Sequence, residues 1–442
     1  MSTQRTPRTR RRGALLAAAA LLGTATAAAG PATAAPNPPR PPAPMRPPAP
    51  QGAADCSAAY RITQKLEGGA VWRMCWRYNT DAGLTLDRVT YQPPGAGAPI
   101  RVLTSARLAQ IHVPYDDGVA EYDDLTGAGF GWGLQNLKPA ECPGGTLTTV
   151  KVPEVGQVKG LCTTTRARGH AYRMASDSGG QVYQVQAKDL LVYTVNKVGW
   201  YEYISEWRFS ADGTIGANVG ATGSLSPVDY NATDGRGWPI GKGARAYATS
   251  HAHNVFWKLD FGLDGSTKDR IEQFDSTVTA PTNGGGPTVK TKRSVVTKEL
   301  AGDAKNMRWW RVVSGTGKNA DGHARSYEIV PGHTDTHAGR GFTKHDVYFT
   351  QARGCEQFAS NNIGNCGTNA PDSVDKWVNG ETLTKPSVWV NIGFHHIARD
   401  EDQQPMPVHW QGFQLAPRDV TAMNPLTPSD LASQNGQPDL GS

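Results

Sequence analysis

The chain has 442 residues, of which 38% are hydrophobic and 19% charged, with 12 Trp, 14 Tyr and 10 Phe; this excludes a disordered polar chain and allows a large packed core. The 50 Gly and 31 Pro exclude a helical bundle or coiled coil and favour short strands joined by turns. The formal charge is +6, but Arg5, Arg8, Arg10, Arg11 and Arg12 stand in residues 1–35 with no acid among them, and without that segment the balance is +1, so a nucleic-acid partner has no electrostatic basis.

Residues 1–35 read as a signal peptide. A basic stretch ending Arg10-Arg11-Arg12 precedes the apolar run Ala14 to Leu22, and small residues through Ala32-Thr33-Ala34 lead to a cleavage site. The apolar run is about half the ~20 residues that a spanning helix needs, so export with no membrane anchor after cleavage is expected. Arg11-Arg12 followed by Gly13-Ala14-Leu15-Leu16 is compatible with a twin-arginine signal. Residues 36–55 form a Pro-rich linker, since 36–50 hold nine of the 31 prolines and such composition gives an extended spacer without a core. One domain is expected over 56–427, followed by a C-terminal tail over 428–442.

An oxidising destination makes Cys56, Cys75, Cys142, Cys162, Cys355 and Cys366 candidates for disulfides, and pairing in sequence order is expected from the short loops between 142 and 162 and between 355 and 366. The lack of any CxxC spacing argues against thiolate ligation of a metal. Through the body of the chain run period-two or β-rich segments such as Gly83 to Tyr91, Asp189 to Val195 and Ser387 to Ile392. Turn signals such as Gln92-Pro93-Pro94-Gly95 separate them, and helical periodicity is nearly absent. An all-β sandwich with few short helices follows. Lack of a fixed repeat disfavours a propeller or solenoid, and lack of a Gly-rich phosphate loop removes the nucleotide-binding readings.

Chemistry concentrates at a few places. Tyr201-Glu202-Tyr203 puts two tyrosines at i and i+2 of a strand, which taken alone reads as core packing. His251-Ala252-His253 opens a β-type run; residues i and i+2 share a face, so both imidazoles can converge on one ion. His395-His396 place one imidazole on either face of a strand, and either can supply a third ligand. Three imidazoles with open positions suit copper or zinc. His333 and His337 form a rival pair, but Pro331-Gly332 before them and Ala338-Gly339 after them argue for a loop and a structural role.

Together these segments resemble the catalytic domain of the copper amine oxidases. Trp200-Tyr201-Glu202-Tyr203 resembles the family's Asn-Tyr-Asp/Glu-Tyr motif, whose first tyrosine becomes topaquinone, with Gly213-Thr214-Ile215 and Val219 to Gly223 following as in the family. His251-Ala252-His253 with Lys258-Leu259-Asp260 resembles the copper motif, and Gly393-Phe394-His395-His396 through Asp402 resembles the third-ligand segment, which makes His396 the ligand and His395 a bystander. Further matches include Val113-Pro114-Tyr115, Trp310, Ser326-Tyr327 and Gly412-Phe413-Gln414-Leu415, and the likeness covers most of 70–425.

The resemblance implies the large β-sandwich of that domain, usually as a homodimer, with a disulfide between Cys142 and Cys162. It implies copper held by His251, His253 and His396, and topaquinone derived from Tyr201. The implied reaction takes a primary amine, water and dioxygen to aldehyde, ammonia and hydrogen peroxide. The family's Tyr-x-Asp segment falls on Tyr122-Asp123-Asp124, with Tyr122 as gate and Asp124 as base, although a gapless alignment puts Thr126 at the base position. The chain departs from the family at Trp200, which stands where an asparagine orients the quinone; an indole offers one donor, no acceptor and more bulk. It departs again at the peripheral calcium site, where Asp260 matches one ligand but Gly262 and Lys385 fall where carboxylates are expected.

Three readings follow: an exported topaquinone amine oxidase, an exported copper-binding protein that has lost the quinone, and an extracellular carbohydrate-binding sandwich prompted by the aromatics usual in such folds.

Overall fold

Alternation of apolar and polar side chains sets the architecture. In the strand Val71–Asn79, Trp72, Met74 and Trp76 are buried while Val71, Arg73 and Cys75 on the other face are only partly covered; Tyr201–Phe209 likewise buries Tyr201, Tyr203, Ser205, Trp207 and Phe209 on one face. Such strands need a second sheet to cover their apolar side. The computed structural model describes residues 56–175, 180–226, 236–242, 246–281, 285–335 and 338–432, with the backbone alone at 246 and 247. The expected signal peptide and linker, most of the expected tail, and His337 lie outside the described residues.

Two large antiparallel sheets face each other. The first runs, in spatial order, Arg61–Lys65, Val71–Asn79, Gly83–Gln92, Ile100–Pro114, His251–Phe261, Pro386–His396, Val347–Gln351 and Leu300–Gly302, with the short Glu121–Asp123 added beside the end of Ile100–Pro114. The second runs Thr288–Val296, Arg270–Thr279, Trp309–Lys318, Ala324–Pro331, Met406–Arg418, Ile215–Gly223, Tyr201–Phe209, Val182–Val198, Gly156–Ala175 and Thr146–Val152. Among the described residues the two α-helices, Val374–Trp377 and Ser429–Ala432, have four residues each, and no helix is long and apolar enough to cross a membrane. The all-β sandwich read from the sequence is the fold.

Aromatic side chains lock the two inner faces together. Trp72 of the first sheet lies 5.0 Å from Phe209 of the second and donates its indole N–H to the Ser210 carbonyl at 2.9 Å. Tyr91 donates to the Ala211 carbonyl at 2.8 Å. Truncating a fully buried Trp of this kind costs about 3–5 kcal/mol. The central strand His251–Phe261 is buried on both faces, because Trp377, Ala359 and Val374 cover its outer side around Phe256. Disulfides join Cys56 to Cys75, Cys142 to Cys162 and Cys355 to Cys366, the pairing in sequence order.

Candidate active site

Register assembles three imidazoles. Strand Pro386–His396 runs antiparallel to His251–Phe261 with His396 opposite His251 and Phe394 opposite His253. Residues directly opposite share a face, so His251, His253 and His396 all point inward while His395 turns out and pairs with Asp116 at 2.8 Å. Each of the three offers a nitrogen within 4.8 Å of the others, and all are buried. Across the gap, Tyr201 Oη sits 2.7 Å from His251 Nε2 and 3.2 Å from His396 Nδ1.

The donor set fits a metal ion. Asp402 accepts from His396 Nε2 at 2.9 Å, which leaves Nδ1 as a lone pair, and the Thr249 carbonyl lies 3.4 Å from His251 Nδ1, which leaves Nε2 likewise. Both lone pairs meet one tyrosine proton. Both ring nitrogens of His253 are buried without any partner among the described residues, an expense that ligation to a cation removes. Burial pulls His251 down to about 3, with His396 adding repulsion, and burial followed by the charge of His251 holds His253 well below its usual value. Neutral imidazoles are the ligating form. Three nitrogen donors with room for further ligands suit copper.

Behind the three imidazoles lies a supporting layer to which the sequence alone assigned no role. Asp402 is 1% exposed and holds His396 at 2.9 Å, His409 at 3.3 Å and the Arg399 N–H at 3.0 Å. Although burial pushes this carboxyl up, the hydrogen bond and charge of His396 hold it well below the usual carboxylate range. Tyr115 stacks on His251 at 4.7 Å. The acidic run Asp400-Glu401-Asp402 is the trace of Asp402 in the sequence; a lone histidine in a strand gave none for His409.

On the other side of Tyr201 stands the carboxylate. Tyr203 stacks on Tyr201 with ring centres 5.8 Å apart and donates to Asp124 Oδ2 at 2.7 Å. Asp124 is buried, and that burial pushes its carboxyl up to about 7, the Tyr203 hydrogen bond opposing and the Asp123 charge assisting. Thr126, the rival in a gapless alignment, instead accepts from the Gln110 amide at 2.8 Å. Tyr122 packs edge-on against Tyr115 at 5.9 Å and against Trp200 at 6.0 Å, and Trp200 donates to Tyr115 Oη at 3.3 Å. The three rings thus stand together beside Tyr201. The structure brings Tyr122, Asp124, Tyr201, His251, His253 and His396 into one site; Asp260 lies at the far end of the strand, and Cys142 and Cys162 belong to a separate cluster with Leu137, Leu191 and Tyr193.

Known proteins carry the same arrangement of strands. The chain is 22% identical to a copper-containing benzylamine oxidase from Hansenula polymorpha, with a TM-score of 0.70 over 81% of this chain and 60% of that one, a likeness of fold. In sequence it is 24% identical to a primary amine oxidase of Arthrobacter sp. (strain P1) over 86% of this chain and 63% of that protein. It is 25% identical to a histamine oxidase of Arthrobacter globiformis over 83% and 58%. The chain therefore spans less than two thirds of these curated relatives. The family model "Copper amine oxidase, enzyme domain" matches residues 69–435, and with this the chain belongs to the copper amine oxidase family.

Proposed function

We propose that this protein is an exported primary-amine oxidase, working as a homodimer, that takes a primary amine, water and dioxygen to aldehyde, ammonia and hydrogen peroxide. One observation carries the reading: Tyr201 Oη is seated between His251 Nε2 and His396 Nδ1, so the ring that must be oxidised stands at the atoms that would hold the oxidising metal. His251, His253 and His396 would be the copper ligands. Bound copper with dioxygen would supply the oxidation that turns the Tyr201 ring into topaquinone, and the quinone would supply the electron sink for the amine.

The remaining work falls to side chains of this chain. Asp124 takes the proton from the substrate carbon beside the nitrogen; a carboxyl near 7 is matched to that task at neutral pH. Tyr203 fixes Asp124 through Oδ2 and backs the ring of Tyr201. Tyr122 stands as the gate, edge-on to Trp200. Dry surroundings sharpen these interactions, since Tyr201, Tyr203 and Asp124 are at most 5% exposed.

Trp200 motivates a second reading, a copper-binding protein without the quinone. Its indole is tied to Tyr115 Oη and packs edge-on against Tyr122, where the family likeness places a small amide next to the ring that must be processed. Peptide mass spectrometry across Tyr201, after loading with copper in air beside a copper-free control, separates the two. A copper-dependent gain of two oxygen atoms with loss of two hydrogens supports the oxidase; bound copper with unmodified Tyr201 supports the second reading.

A further inference from the structure

The opposite face of the ten-stranded sheet carries a constellation that amine chemistry leaves unused. Even-numbered residues of Tyr201–Phe209 and Ile215–Gly223 point away from Tyr201, and there a trough of about 390 Å³ opens, within the size range of small-ligand sites. Register explains the trough. Gly216 lies between Arg208 and Gln414 on the neighbouring strands, and Asn218 between Glu206 and Gly412. Glycine inside a strand weakens it and marks places where another group approaches closely. Gly220 does so for Val408 and Trp410: a Cβ there would lie 2.6 Å from Val408 Cγ1 and 3.1 Å from the Trp410 ring, so its absence lets both side chains, the indole included, lie down on the sheet.

Trp410 is 50% exposed and makes no ring contact among the described residues. Around it the charges are sorted by depth. The carboxylates of Asp189 and Glu206 are 2% and 4% exposed and lie beneath the guanidiniums of Arg166 and Arg208, which are 46% and 41% exposed: Arg208 Nη2 donates to Glu206 Oε1 at 3.1 Å, while Arg166 to Glu206 and Arg208 to Asp189 are looser pairs at 3.9 Å. Asp189 Oδ1 and Arg208 Nε are buried in the trough wall without hydrogen-bond partners. Three arginines, Arg166, Arg168 and Arg208, against the two deeper carboxylates leave the lining one positive charge in excess, so an incoming molecule meets the outward N–H groups of the guanidiniums, two side-chain amides and one flat aromatic surface.

We propose that this trough binds an acidic sugar ring within a polysaccharide, independently of the oxidase site. The C–H face of a pyranose stacks on Trp410, its hydroxyls pair with the amides of Asn218 and Gln414, and its carboxylate takes the guanidinium forks of Arg166 and Arg208. The outward guanidiniums set the charge of the occupant, and the half-exposed indole of the trough sets its flat apolar face.

The test is calorimetric binding of oligogalacturonate by the full chain, with dextran and dextran sulfate as comparisons, repeated for Trp410→Ala and Arg166→Ala after thermal melting shows each to be folded. Oligogalacturonate should bind, dextran should not, and Trp410→Ala should weaken binding about tenfold or more, equivalent to ~1.4 kcal/mol. Arg166→Ala should weaken oligogalacturonate in the same sense. Absence of binding by the unaltered chain, affinity unmoved by Trp410→Ala, or dextran sulfate bound as tightly as oligogalacturonate would each overturn the proposal, the last by reducing it to bulk charge.

Discussion

The strand His251–Phe261 carries polar groups at both ends and satisfies them in opposite ways. At its start His251 and His253 turn inward, and both ring nitrogens of His253 lack a hydrogen-bond partner among the described residues. At its end Lys258 and Asp260 turn to the other face and find partners within the chain. Lys258 Nζ donates to the Glu356 carbonyl at 2.5 Å and lies 4.9 Å from the centre of the Trp389 ring; Asp260 accepts from Ser387 Oγ at 2.5 Å, and its charge partly offsets the burial that pulls Arg107 and Lys258 down. Gly262 supplies no carboxylate, and a Cβ there would lie 2.4 Å from Thr104 Oγ1. The peripheral calcium implied by family likeness does not fit this end. A metal site is recognised by what the protein leaves unsatisfied, more than by the residue types present.

Breaking the open end has the largest expected effect. His253→Ala removes a proposed ligand, so copper affinity should fall by more than the ~10–100-fold that loss of an outer partner costs, and the copper-dependent mass change at Tyr201 should vanish; metal analysis and peptide mass spectrometry read both. Asp124→Asn leaves the ligands in place, so copper content should hold while amine-dependent peroxide release falls by ~10²–10⁴-fold. Asp402→Asn should cost ~10–100-fold in copper affinity, because His396 loses the partner that fixes its orientation.

Titration sharpens the contrast further. With Asp124 at about 7, kcat/KM should rise with pH up to that value and level off, and Asp124→Asn should remove the limb. The sign for stability is opposite. The folded chain keeps a proton that the unfolded chain releases near 3.8, so the contribution is complete below that pH and is lost as pH rises through about 7. Groups facing Asp124 include Tyr203, Asp123 and His112, and melting curves of the unaltered chain against Asp124→Asn isolate its share. The smallest effect belongs to the filled end: added calcium or a calcium chelator should leave the melting temperature unchanged, since Lys258 already stands there.

Local pattern made the strands legible: alternation in Val71–Asn79 and Tyr201–Phe209 predicts both the elements and their buried faces. It also made His251 and His253 a same-face pair. What the residues alone left open was His395 against His396, because the choice depends on which residue lies opposite His251, a long-range register that neither segment encodes by itself. Asp402, His409 and Tyr115 were invisible as a set for the same reason: they meet only when three strands and a loop converge. Tyr203 looked like core packing and is core packing; its hydroxyl reaching Asp124 follows from the sandwich, not from its own strand.

The pairing of His396 with His251 has a consequence for how the molecule tolerates change. A single-residue deletion or insertion between the buried core of Pro386–His396 and its final histidine would exchange the inward imidazole for the outward one. A two-residue change would restore the facing but displace the nitrogen by about 6.6 Å along the strand. Substitutions around His395 are therefore cheap, while length changes there are not, and variation in this segment should be confined to identity at constant length.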